Sequence, residues 1–134
     1  MTVQSRIRYT VPANIQTVWR TVTSLTDYAW RSDLAKIERL DDTQFVEHTQ
    51  SGAATLFRVT QMQPPHLWAF DMENDYFSGH WTGRFTALDD NCTELDFAED
   101  ITLKKWLPRW LVKFYLRRQQ QKYRRDLCRK LQNV

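Results

Sequence analysis

KKWLPRWLVKFYLRRQQQKYRRDLCRKLQNV, residues 104–134, is the stretch around which this chain is built. From Pro108 onward it holds neither Gly nor a second Pro, so nothing interrupts one helix of about 25 residues, roughly 37 Å long at 1.5 Å per residue. Pro108 marks the start, because its missing N–H would lack a partner in the first turn anyway. Leu111, Val112, Tyr115, Leu116, Tyr123, Leu127 and Leu131 recur at helical steps and form an apolar stripe, which Trp110 and Phe114 widen in the first half. The opposite face is basic. A rod of this length with one apolar side needs a broad apolar surface to lie on, and the residues before it must supply that surface.

Those residues read mainly as strands. Over 3–11, Val3, Ile7, Tyr9 and Val11 alternate with Gln4, Arg6, Arg8 and Thr10, the period of a half-buried strand. Pro12 stops it, and within 13–23 Ile15, Val18, Trp19 and Val22 fall at helical spacing behind Asn14 as a cap. A further start signal at Ser24 or Thr26, followed by Tyr28 and Trp30, predicts one or two more helical turns ending near Arg31. From Leu34 the chain breaks into short strands, 35–40, 43–49, 54–63, 66–73, 77–88 and 93–103, with turn residues between them. Successive hairpins give an antiparallel sheet. The fold class is therefore α+β: one seven-stranded antiparallel sheet, two short helices after its first strand, and a long C-terminal helix, in a single domain over 1–134.

Six Trp, five Tyr and seven Phe are many for 134 residues, whereas three Gly leave no GxGxxG or GxxxxGK[ST] loop for a phosphate. No apolar run of about 18 residues and no apolar leader core are present, which makes the cytoplasm the expected location. Cys92 and Cys128 lie far apart without a CxxC, as reduced structural thiols do. Charge is segregated. Residues 1–103 carry eight Lys/Arg against fifteen Asp/Glu, and residues 104–134 carry eleven against one, Asp126. Such a helix either shows a solvated basic face that complements an acidic body or meets an anionic surface.

The segment VPANIQTVWRTVTSLTDYAW, residues 11–30, resembles the helix-pair opening of the START-like, birch-pollen-allergen-like superfamily, through Val18-Trp19 and Asp27-Tyr28 with Trp30. Gln63-Pro64-Pro65 before a strand, and GHWTGRFTALDDNCTELDF from Gly79 to Phe97, are similar to the late strands of that superfamily, particularly its polyketide cyclase/dehydrase and lipid-transport branch. The resemblance covers nearly the whole chain and rests on the order and spacing of these motifs. It implies the helix-grip fold, a strongly curved sheet wrapped around the C-terminal helix with an apolar cavity between them. The alternative interior is one that the aromatics fill.

His48, His66 and His80 sit on separate elements with no ligand-spaced partner such as HExxH, so no metal site is expected. His80 falls on the face opposite Trp81 and Phe85. Glu99 differs, because alternation places it among Leu95, Phe97 and Ile101 on the inward side, where desolvation raises a carboxyl pKa unless a cation such as Arg58 pairs with it. The expected function is the binding or carriage of a hydrophobic molecule, lipid-like or polycyclic, with no cofactor. Its expected lining is Trp30, Phe57, Trp68, Phe70, Trp81, Phe85, Phe97, Glu99, Trp110 and Phe114. The alternative is a cyclase/dehydrase-type enzyme in the same cavity with Glu99 as its base. Lys104 to Leu111 mixes indoles with cations as interfacial segments do, which offers transient contact with a membrane surface; the other reading makes Trp110 core and packs Trp106 on a loop. A pocket accounts for the aromatics without nucleic acid, which is not expected as a partner.

Overall fold

The computed structural model describes residues 2–132. Over them the chain runs β1 (Thr2–Val11), α1 (Ile15–Thr23), β2 (Leu34–Arg39), β3 (Gln44–Thr49), β4 (Ala54–Gln63), β5 (Leu67–Glu73), β6 (Phe77–Asp89), β7 (Cys92–Leu103) and α2 (Arg109–Gln132). The strands form one curved antiparallel sheet in the order β1-β7-β6-β5-β4-β3-β2. Only β1 leaves sequence order, crossing to β7 in a register that sets Val3 against Ile101, Ile7 against Phe97 and Tyr9 against Leu95. Those side chains share the inward face. On the outward face Arg6 and Arg8 both reach Asp96, exposed pairs that add little stability.

α1 closes one end of the sheet. The Asn14 side-chain oxygen accepts from the Gln16 N–H at 2.8 Å and starts the helix. Ile15, Val18, Trp19 and Val22 are buried, and Trp19 meets Phe85 of β6 edge-on at 5.0 Å. This end of the interior is solid.

The expected second short helix is absent; residues 24–33 form turns. The Ser24 hydroxyl accepts from the N–H groups of Thr26 at 3.3 Å and Asp27 at 2.9 Å, so the start signal is spent on a local turn that no helix follows. Asp126 of α2 then holds the segment: it is buried and accepts from the Ser32 N–H at 2.9 Å and the Ser32 hydroxyl at 2.7 Å.

In α2 the Pro108 carbonyl accepts from Leu111 and Val112 at 3.1 and 3.2 Å, so helical residues begin at Arg109. The two halves of this helix pack differently. In the second half Leu127 and Leu131 are 0% and 3% exposed, while in the first half Val112 and Leu116 are the buried residues, at 6% and 7%. The apolar stripe is thus narrower than the sequence predicts. At 100° per residue Trp110 and Phe114 both stand about 160° from Val112, on the far side of the helix, and both are exposed. Trp106, in the segment before the helix, is exposed as well and packs on no loop.

Candidate functional site

Between α2 and the inward face of the sheet lies a cavity of about 880 Å³. Period-two alternation on β4 to β7 delivers Phe57, Trp68, Phe70, Trp81 and Phe97 to its wall. The rings interlock: Phe70 stacks on Trp81 at 4.7 Å, Trp81 leans on Phe97 at 4.8 Å, and Phe57 meets Phe70 edge-on at 5.0 Å. Rings packed against one another along the sheet line a space instead of filling it. Gly83 makes this geometry available, because the Trp81 indole lies where a Cβ on residue 83 would stand. From the other side, Trp30 of the 24–33 segment meets Tyr123 of α2 edge-on at 5.4 Å. Leu107, Leu111 and Tyr115 line the rim and are exposed.

Polar groups interrupt this wall at two buried points. Glu99 is inward, and its carboxylate oxygen accepts from the Gln120 amide at 3.3 Å, while the same amide donates to the Ser5 hydroxyl at 2.8 Å. Burial pushes the Glu99 carboxyl up to about 7, opposed only by the Gln120 hydrogen bond. Arg31 forms the second polar feature. Its guanidinium donates to both Glu47 oxygens at 2.8 and 3.2 Å and to Asp33 at 3.1 Å, and it lies 5.4 Å from the Tyr123 ring centre. Burial works against the Arg31 charge, but Glu47 outweighs it and the pKa is raised. The phenols of Tyr9 and Tyr123 are both driven above the usual range by burial and stay protonated. Tyr9 Oη, Trp68 Nε1 and Arg31 Nε are buried without a hydrogen-bond partner among the described residues.

Seven of the residues expected in the lining, Trp30, Phe57, Trp68, Phe70, Trp81, Phe97 and Glu99, face the cavity. Three do not. Phe85 shares their parity but lies under α1, wedged between Trp19 at 5.0 Å and Phe97 at 5.8 Å, so it is core. Trp110 and Phe114 point away from the sheet. Arg58 is exposed on the outer face opposite Asp71 and cannot pair with Glu99. Arg31, Glu47 and Gln120 also line the cavity, although none is among the residues expected there. Glu47 was within reach of the alternation that isolates Glu99, since it lies between Phe45 and Thr49 on one face of β3. Arg31 sits in irregular chain and Gln120 in a polar QQQ run, and neither has a periodic signal.

The histidines are occupied elsewhere: His48 with Glu38 at 3.2 Å, His66 with the Phe85 carbonyl at 3.3 Å, and His80 with Asp71 at 2.7 Å on the outer face. A shallower groove of about 370 Å³ runs there past Arg58, Asp71, His80 and Asp100. Half of its lining is Arg58, Asp71, Glu73, His80 and Asp100 on the outer face, and it is less enclosed, so the inner cavity is the better candidate site. Among the described residues no three His, Cys, Asp or Glu side chains gather as a metal-binding group.

Comparison with known proteins bears on this geometry. The family model described as polyketide cyclase / dehydrase and lipid transport matches residues 2–134. The chain belongs to that family. Solved structures of the same fold are numerous and distant in sequence. A START superfamily protein from Mycobacterium smegmatis superposes with a TM-score of 0.87 at 15% identity, covering 97% of each chain. An aromatase/cyclase from a Streptomyces species gives 0.83 at 15% identity, covering 98% of this chain and 94% of that one. A conserved protein from Geobacillus kaustophilus gives 0.83 at 11% identity, covering 99% and 96%. No curated protein matches the sequence. The helix-grip architecture is thus that of a ligand-binding fold.

Proposed function

We propose that the chain is one ligand-binding domain that holds and carries a hydrophobic small molecule, lipid-like or polycyclic, between the sheet and α2. The observation that carries this reading is the cavity itself: about 880 Å³ walled by Phe57, Trp68, Phe70, Trp81 and Phe97. That volume corresponds to roughly thirty waters, within the range of small-molecule sites. Apolar burial at about 25 cal/mol per Å² provides the affinity, less the cost of ordering the guest. Glu99 and its Gln120 partner on the cavity wall favour a guest that carries a hydrogen-bonding function on an apolar frame. The unbridged thiols of Cys92 and Cys128 accord with a reducing compartment, the cytoplasm.

Native mass spectrometry of gently purified protein, paired with uptake of an environment-sensitive apolar dye, tests the proposal. The expected result is a co-purifying hydrophobic molecule, and dye affinity that falls about tenfold or more on Phe70→Ala or Trp81→Ala. A protein that takes up no apolar dye and carries no guest would remove it. One observation favours a second reading, cyclase/dehydrase-type catalysis: a carboxyl pushed up to about 7 titrates where a general base works best. Against it, the hydrogen-bond partner of Glu99 is an amide, and no second acid or base meets it among the described residues. Glu99→Gln separates the two, since a carrier keeps its guest whereas the enzyme loses turnover with binding intact.

A further inference from the structure

The outward face of α2 takes no part in the cavity, and its first two turns are unusual. Trp110 is 71% exposed and Phe114 55%, and Trp106 just before the helix is 77% exposed. Trp110 and Phe114, four residues apart on the helix, share one face and form a ridge, and Trp106 stands exposed in the irregular segment just before it. Exposed apolar side chains are ordinary singly, but a contiguous group marks a surface that meets something. Cations interleave with the rings. Lys105, Arg109, Lys113, Arg117 and Arg118 are all exposed, and the ion pairs made by this part of the chain use Lys104 and Lys130 instead. The Arg118 guanidinium lies 5.9 Å from the Phe114 ring centre.

Two features decide what the ridge fits. A protein partner would bury the rings and strip water from the cations among them, and protein interfaces are poor in charge at their centre for that reason. A bilayer surface accepts both at once, with indoles at headgroup depth and cations against lipid phosphates still in water. The second feature is position. The same two turns present Leu111 and Tyr115 to the cavity rim, and the segment before them adds Leu107. The ridge and the mouth are therefore two sides of one helical segment, and a surface that meets the first lies beside the second.

We propose that Trp106, Trp110 and Phe114, with the cations around them, dock this protein on an anionic lipid bilayer with the cavity mouth next to the membrane. Passage of the guest between bilayer and cavity rests on the carrier reading above; the docking does not. The test is co-sedimentation of the full chain with phosphatidylcholine vesicles that contain about 30 mol% phosphatidylserine, and with phosphatidylcholine vesicles alone. The expected results are binding to the anionic vesicles at least about tenfold tighter than to the neutral ones, and a loss of about tenfold when salt rises from roughly 0.05 to 0.5 M. Replacing Trp106, Trp110 and Phe114 together with Ala should lower anionic-vesicle binding about tenfold or more and leave the circular dichroism spectrum and dye uptake unchanged, since all three are exposed. Phe70→Ala should do the reverse, lowering dye uptake and sparing vesicle binding, so failure of the docking and failure of the carrier reading look different. Equal binding to neutral and anionic vesicles, or a triple variant that binds as well as the parent, overturns the proposal. So does a dimer in the absence of vesicles that the triple variant converts to monomer, which would assign the ridge to a second copy of the chain.

Discussion

Glu99 has an ordinary carboxyl value of 4.5 in the unfolded chain and about 7 when folded. Between those values the folded protein keeps a proton that the unfolded chain has shed, so this residue makes stability fall as pH rises from 4.5 to 7 and level off above. At 1.36 kcal/mol per unit the loss is on the order of 3 kcal/mol. Urea denaturation at intervals from pH 4.5 to 8 should show that Glu99→Gln removes this part of the slope; an unchanged difference between parent and variant across the range would mean that the carboxyl is solvated. Arg31 poses the opposite case, a charge kept by two hydrogen bonds to Glu47 at 2.8 and 3.2 Å. Arg31→Met strands a mostly buried carboxylate and should cost about 3 kcal/mol, whereas adding Glu47→Leu should restore most of it, both read by denaturant midpoint at fixed pH. If the single and double variants are equally unstable, the pair is not what holds the 24–33 segment to β3.

α2 behaves as two pieces of one rod. Its second half is fixed by Leu127 and Leu131 and by Asp126 accepting from Ser32, whereas its first half bridges a space. Leu127→Ala should therefore destabilise the fold by about 2–5 kcal/mol, and Leu111→Ala, at the rim, by less than about 0.5 kcal/mol, as measured by equilibrium unfolding. Similar losses at both positions would mean that the helix is packed along its whole length. Much of this architecture was readable in advance, and the reason differs by element. The strands β1 and β7 were legible because each buries one face, which writes a period of two into the sequence; α2 was legible because nothing in it breaks a helix. The same rod concealed the orientation of Trp110 and Phe114, since a broad aromatic stripe reads alike whether its edge faces a sheet or water. The 24–33 turns were hidden because Ser24 serves a turn as well as a helix cap. Glu99 surfaced because it interrupts an apolar alternation; Arg31 lies where there is no alternation to interrupt.

The molecule as a whole keeps an apolar space next to a solid core, and an occupant that binds only the folded form must raise its stability. An apolar guest at a hundred times its Kd adds about 2.7 kcal/mol. Thermal unfolding with and without a long-chain fatty acid or a polycyclic aromatic should show a rise in Tm of several degrees, absent in Trp81→Ala. No rise with either class would count against occupancy of this cavity. One further consequence follows from how β1 is paired. Thr2 and Thr102 meet across the sheet from one hundred positions apart. A ribosome adding about 5–20 residues per second leaves β1 without its neighbour for roughly 5–20 s. Throughout that wait Arg6 and Arg8 are what deter a stray chain from adding itself to the open edge. Closure of this sheet is a late event in the birth of the protein, and the period before it is when a nascent-chain chaperone has most to do.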